Sequence, residues 1–403
     1  MRKIYGFLLL ICMGISLASC SKQSMPNVIS NSFHRIETSN PGINKPVDAW
    51  QFAWNEPDLN VLGMAGPPKV DSEGNVYFIS NSFTLYSITP DGRIKWKLPD
   101  YFGDRIEVTK DGIIVFGSKS LVCLSLDGEE KWSMKEYEGI KCKPLLGPDG
   151  MIYSSINNNI ISLDSLGQLR WSFPVKSTDV FENFFVSGFF DQSSNFYCLF
   201  VEHDSSWTEV KYVIYSMTST GILRWKKYFT HGTLIRDFIP DGFYMYDTFL
   251  LAFSQGNSAT SPKLISAYNK EGSIVWTYSE LRIGMYESPY ALNGESTFYI
   301  PFSSDKTYLQ AINKNGNLLW ERFMLGSKST SPIIDDESHI YVGVNSAERF
   351  LYAFYADGAT IWVKKQTNER AFYDHSVQFG PNHTLYYGTK FQNILYCIKD
   401  GWQ

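Results

Sequence analysis

Short apolar runs recur along the chain and never lengthen into a helical pattern. One set reads VYFIS (76–80), IVFGS (114–118), IYSSI (152–156), FYCLF (196–200), FYIPF (298–302), IYVGV (340–344) and LYYGT (385–389). A second set follows it at short intervals: LYSIT (85–89), LVCLS (121–125), IISLD (160–164), VIYSM (213–217), LISAY (264–268), LQAIN (309–313), LYAFY (351–355) and LYCIK (395–399). Their length, their β-branched and aromatic content and the polar residues bounding them predict strands. Fragments such as DSEGN (71–75), TKDGI (109–113), GPDGM (147–151) and GPNHT (380–384) predict turns ahead of the first set.

A third element follows in each unit: a glycine, then a tryptophan four residues later. It appears as GRIKW, GEEKW, GQLRW, GILRW, GSIVW, GNLLW and GATIW, ending at Trp96, Trp132, Trp171, Trp225, Trp276, Trp320 and Trp362. The glycine supplies the positive φ of a tight hairpin, and the tryptophan adds a broad apolar plate to the next strand. Successive tryptophans stand 36, 39, 54, 51, 44 and 42 residues apart. A period near 40 with four short strands per copy is the pattern of a propeller blade. Such units bury their faces only against their neighbours, so residues 47–403 are read as one domain.

The last copy stops short. Its third strand contains Cys397, and Trp402 follows by five residues, whereas Ala353 and Trp362 in the preceding copy are nine apart. An N-terminal strand at 49–55, with Trp54 standing 42 residues before Trp96, supplies the missing one. The expected fold is all-β: an eight-bladed β-propeller of four-stranded antiparallel blades, closed by the N-terminal strand completing the last blade.

The N-terminus changes the picture of where this domain sits. Arg2 and Lys3 precede an apolar stretch at 4–17, which is too short for a stable membrane span. Leu17-Ala18-Ser19-Cys20 follows and resembles the lipobox of bacterial lipoprotein signal peptides. The resemblance implies cleavage after residue 19, a lipidated Cys20, and an extracytoplasmic chain held on a membrane by its acyl chains. The location would be the periplasmic face of the outer membrane in a Gram-negative cell, or the outer face of the plasma membrane in a Gram-positive one. Residues 20–46, rich in Ser, Asn and Pro, read as a flexible tether.

Composition narrows the partners. Loss of Arg2 and Lys3 moves the formal charge from −5 to −7, and no basic block remains, which argues against nucleic acid and against anionic lipid surfaces as partners. Aromatic residues make up 16% of the chain against 19% charged, a mix that suits large apolar contacts between sheets. Cys123, Cys142, Cys198 and Cys397 fall in predicted strands and read as small buried side chains; spacing alone leaves a Cys123–Cys142 disulfide open.

Catalytic chemistry finds little support. The chain has no G-x-S-x-G, H-E-x-x-H or P-loop pattern. His203–Asp204 and Asp374–His375 are strand neighbours whose side chains point to opposite faces, so neither makes a dyad. His339 and His383 occupy corresponding turns and are expected in solvent. No metal ligand set, cofactor site or catalytic residue is therefore assigned.

Binding is the remaining class. If first strands line the channel, the second-to-third and blade-to-blade connections share one face, and the glycine turns lie on the other. The longest insertions, at 172–184, 201–212, 226–238, 254–263, 277–288 and 363–374, then fall on the first face. Phe181, Trp207, Tyr228, Arg236, Arg282, Tyr286, Arg370 and Tyr373 are the candidate partner-binding residues there, since aromatic and arginine side chains anchor interfaces.

The string IYVGVNSAERFLYAFYADGATIW (340–362) resembles the PQQ-type propeller repeat, and the resemblance extends over 47–403. Two branches carry that repeat. Quinoprotein dehydrogenases hold PQQ and calcium beneath a disulfide of adjacent cysteines, and no Cys-Cys pair occurs here. The other branch, the BamB-like outer-membrane assembly lipoproteins, is non-catalytic and shares the lipobox layout. The resemblance thus implies a monomeric, lipid-anchored scaffold for a protein partner in the cell envelope. A propeller that binds carbohydrate or another small ligand in its channel is the alternative, and a quinoprotein-like enzyme a more distant one.

Overall fold

The computed structural model describes residues 42–401 apart from short breaks, the longest being 55–62, 136–144, 230–243, 255–262 and 366–376. The described residues contain no helix and form eight antiparallel sheets, six of four strands and two of five. The first seven, taken along the chain, have as fourth strands Ile94–Leu98, Glu130–Lys135, Leu169–Pro174, Leu223–Phe229, Ile274–Glu280, Leu318–Met324 and Thr360–Lys365. The eighth is built from Gln378–Gly380, Thr384–Gly388 and Ile394–Asp400, and Pro46–Ala53 pairs antiparallel with the last of these.

The core lies between sheets. Second and third strands are buried on both faces, which is why they read as unbroken apolar runs instead of alternating ones. Tyr77, Ile79 and Leu85 of the first sheet pack with Ile113, Val115 and Leu124 of the second. Tyr386, Leu395 and Cys397 of the eighth pack with Val76, Phe78 and Ile88 of the first. Burying each such large side chain is worth about 1.5–3 kcal/mol.

One local device recurs in all eight sheets. The fourth strand carries a β-bulge directly before its tryptophan, so that Trp96 faces Ser87, Trp132 faces Cys123, Trp171 faces Ser162 and Trp225 faces Ser216. Trp276, Trp320 and Trp362 face Ala267, Ala311 and Ala353 in the same register. The residue opposite each tryptophan is always small, which leaves room for the ring beside the strand. Cys123 occupies such a position as a buried free thiol, pushed up to about 11 by burial, while Cys142 lies outside the described residues.

Five of these tryptophans also reach the next sheet in the same way. The indole N–H donates to the carbonyl two residues before the next glycine: Trp96 to Leu126 at 3.0 Å, Trp132 to Ser165 at 2.8 Å, Trp171 to Ser219 at 3.0 Å, Trp276 to Lys314 at 2.7 Å and Trp320 to Ala356 at 2.9 Å. The ring lies flat against the glycine itself. A Cβ added at Gly221, where φ is +84°, would stand 2.5 Å from the Trp171 ring, so the site needs glycine for conformation and for space.

The split sheet corrects one expectation. Trp50, not Trp54, is the equivalent tryptophan: it faces Cys397 across the same bulge, donates to the Pro90 carbonyl at 2.7 Å and covers Gly92. Trp54 lies just past the strand, buried against Phe78, and its indole nitrogen has no hydrogen-bond partner. The glycine that marks the docking tryptophan elsewhere is missing here, since Pro46 stands four residues before Trp50.

A second expectation also shifts. Part of the long spacing around Trp225 is strand, not loop: the fourth sheet has strands of nine, eight, eight and seven residues, against two, four, four and five in the first.

Candidate interaction faces

In the first, fourth and seventh sheets the second strand begins after an Asp-centred turn, whereas Thr109 organises that turn in the second. Asp71 accepts the backbone N–H groups of Glu73 and Asn75, the Asn75 amide at 2.7 Å and the Tyr77 hydroxyl at 2.8 Å. Asp191 repeats this set with Ser193, Asn195 and Tyr197, and Asp335 with Glu337, His339 and Tyr341. The legible signal was an aspartate six residues before a tyrosine. Burial first, then the neighbouring carboxylate, drives the Tyr77 hydroxyl far above its ordinary value. These phenols stay neutral donors and serve as struts, not as acids or bases.

His339 was expected in solvent and is buried instead, with Nδ1 2.9 Å from Asp335 and its ring edge-on to Tyr355. His383, half-buried, meets the Gly42 carbonyl at 2.8 Å. The aspartate that organises the turn draws the imidazole inward, which a turn pattern alone does not reveal.

Among the proposed partner-binding residues, Phe181, Trp207, Arg236, Arg370 and Tyr373 lie outside the described residues. Tyr286 is in the two-residue strand Met285–Tyr286, opposite Phe302. Tyr228 is exposed on the fourth strand of its sheet, with the Lys226 ammonium 4.6 Å from its ring centre and 5.0 Å from that of Tyr215.

Arg282 is engaged within the molecule. Its guanidinium bonds both Glu280 and Glu321, and it lies over the rings of Phe302 and Tyr308 at 5.0 and 4.6 Å. Gln310 donates to both carboxylates as well. Burial would raise the Glu280 carboxyl, but the Arg282 hydrogen bonds outweigh it and hold it below its ordinary range. The cluster joins the fifth and sixth sheets and leaves Arg282 as a clamp whose planar fork is already filled.

A second charged group sits on first strands. Glu107 receives Lys69 from the neighbouring sheet at 3.2 Å and Arg105 at 2.9 Å. Burial acts to raise this carboxyl; the two cations overcome it and hold it at about 2. No group of three or more metal-binding side chains occurs among the described residues.

Sheets of this kind, each docked through its outer strand to the next, define a β-propeller. BamB from Moraxella catarrhalis has the same fold: the match has a TM-score of 0.57 at 13% identity, over 88% of this chain and 99% of that one. The Pan2 WD40 domain of Neurospora crassa matches at a TM-score of 0.50 and 10% identity, over 91% and 98% of the two chains. No protein-family model matches the chain, and no curated protein matches it in sequence.

Proposed function

We propose that this chain is a non-catalytic scaffold, lipid-anchored through Cys20 on the extracytoplasmic side of a bacterial membrane, that holds a protein partner on the face bearing its long connections. The carrying observation is the pairing of a lipobox at 17–20 with a propeller of BamB-like fold over 88% of the chain. Further support comes from four of the buried carboxylates among the described residues, Asp71, Asp191, Asp335 and Glu280, each engaged by hydrogen bonds from its own surroundings. A site for acid–base chemistry keeps a titratable group available to a substrate.

An eight-bladed ring closed by the N-terminal strand belongs to the same reading. It draws support from the pairing of Pro46–Ala53 with Ile394–Asp400 and from Trp50 docking on Gly92. Sheet closure of this kind leaves no open seam.

The test is crosslinking in intact cells followed by capture of the tagged chain. Joint Trp207→Ala and Arg236→Ala substitution should remove at least one crosslinked protein, while Cys20→Ser should release the chain from the membrane fraction. An unchanged set of crosslinks in the double variant would refute the face; a Cys20→Ser chain still in membranes would refute the anchor.

A further inference from the structure

We infer that the face bearing the glycine turns lies against the lipid surface, with the turn tips of the third and fourth sheets touching it. This rests on the anchored reading above. Three observations carry it.

The first is where the anchored segment joins the domain. Gly42 to Lys45 take the place of the interrupted turn of the eighth sheet: the Ile43 carbonyl accepts the Trp362 indole N–H at 2.6 Å, as turn carbonyls do elsewhere. Asp400 accepts the Asn44 and Lys45 N–H groups, and His383 donates to Gly42. The chain thus leaves the domain on the glycine-turn face. Cys20 is 22 residues from Gly42, a span of at most about 75 Å.

The second is an asymmetry among the turns. Asp91, Asp127 and Asp357 precede the turn glycine in the first, second and seventh sheets, Glu271 in the fifth and Asn315 in the sixth, all polar as turn chemistry favours. The third sheet has Leu166 there, and the fourth has Thr220 followed by Ile222. The aspartate of the third turn, Asp164, is buried and caps Leu166 and Gln168.

The third is exposure. Leu166 and Ile222, at two adjacent turn tips docked through Trp171 and Gly221, are 52 and 65% exposed, and no other glycine turn carries a large aliphatic side chain next to its glycine. Leu169 and Leu223, which open the following strands, add to the same surface, as do Ile94, Ile274 and Leu318 at the equivalent position of other sheets. A turn gains nothing from aliphatic tips in water. Beside a bilayer, uncharged tips avoid the cost of bringing carboxylates to lipid and add apolar contact.

The experiment uses the full chain made in the cell, extracted and reconstituted by its own anchor into phosphatidylcholine vesicles with brominated acyl chains. In a Cys142→Ser background, a fluorophore is placed at Thr220→Cys or, on the opposite face, at Lys306→Cys. We expect several-fold stronger bromolipid quenching at 220 than at 306, falling to the 306 level when Leu169→Asp and Ile222→Asp are added. Equal quenching at the two positions would overturn the inference. So would a label at 220 shielded from aqueous iodide yet untouched by bromolipid, which is the sign of a second copy or a protein on that face. The mass of the Cys20 peptide separates the two readings: an unmodified cysteine with the quenching pattern intact refutes the anchor and keeps the face, and a lipidated cysteine with equal quenching refutes the face alone.

Discussion

The first four sheets and the next three share one architecture but fill one position with opposite chemistry. The bulge residue before the tryptophan is Lys95, Lys131, Arg170 and Arg224 in sheets one to four, and Val275, Leu319 and Ile361 in sheets five to seven. The small residue facing the tryptophan changes with it, from Ser87, Cys123, Ser162 and Ser216 to Ala267, Ala311 and Ala353. Arg170 and Arg224 account for the serine in the third and fourth sheets, whereas Lys95 and Lys131 turn instead to Asp127 and to the Asp111 carbonyl. Each arginine donates to that serine at 3.1 Å and extends to the turn aspartate and tyrosine: Arg224 reaches the Tyr197 hydroxyl at 2.7 Å and Asp191 at 3.9 Å. Where the bulge residue is aliphatic, a serine there would lack that donor, and alanine suffices. The comparison teaches that the bulge is a requirement of the backbone, whereas its side chain is free to serve either a polar strut or an apolar rim.

The largest expected effect tests that strut. Arg224→Ala removes hydrogen bonds to the Tyr197 and Ser216 hydroxyls and the more distant pairing with Asp191, and should cost about 2 kcal/mol, while Val275→Ala, at the exposed equivalent position, should cost under about 1 kcal/mol. Because repeat arrays unfold in parts, hydrogen exchange of each sheet is the appropriate readout. Adding Asp191→Asn to Arg224→Ala should recover part of the loss; a purely additive double variant would break the proposed link.

Glycine turns should be indifferent to the division. Gly221→Ala in the fourth sheet and Gly316→Ala in the sixth would each push a Cβ into a tryptophan ring at positive φ, at 2.5 and 2.8 Å. Both should cost about 2 kcal/mol in thermal unfolding. A large difference between them would mean that docking strength also divides the molecule.

Acid should reach Glu107 on the polar side. Its folded-state pKa near 2 lies below the ordinary 4.5, so its contribution is complete above about 4.5 and is lost as pH falls towards 2. A shift of this size sets an upper bound of about 3 kcal/mol, and screening of the partly exposed pair brings the expected contribution to about 1–2 kcal/mol. Glu107→Gln should flatten the acid limb of the stability profile, and an unaltered limb would assign acid sensitivity elsewhere.

The smallest effect separates the two tryptophans at the N-terminal strand. Trp50→Phe removes an indole hydrogen bond and should cost about 1 kcal/mol. Trp54→Phe removes an indole N–H that has no partner and should change stability by less than about 0.5 kcal/mol. Equal costs would restore the original assignment of Trp54.

The strands, the glycine turns and the repeat were legible because each rests on local chemistry: apolar runs of strand length, positive φ at glycine, and a tryptophan at fixed offset. An N-terminal strand was also legible from the shortfall at the end of the last copy. Which tryptophan docks was not, because an offset taken from intact hairpins does not survive where the turn is replaced by Gly42–Lys45 held on Asp400. The inward histidine, the aspartate–tyrosine struts and the filled fork of Arg282 were hidden for one reason. Each depends on which side chains from separate strands or sheets meet, and such distances exist only after the sheets have packed. Sequence by itself determined the unit and its repetition, since hydrophobic period and backbone permissiveness act within a few residues. Tertiary structure decided which charges are spent internally, because desolvation and partner geometry arise only where two sheets close on each other.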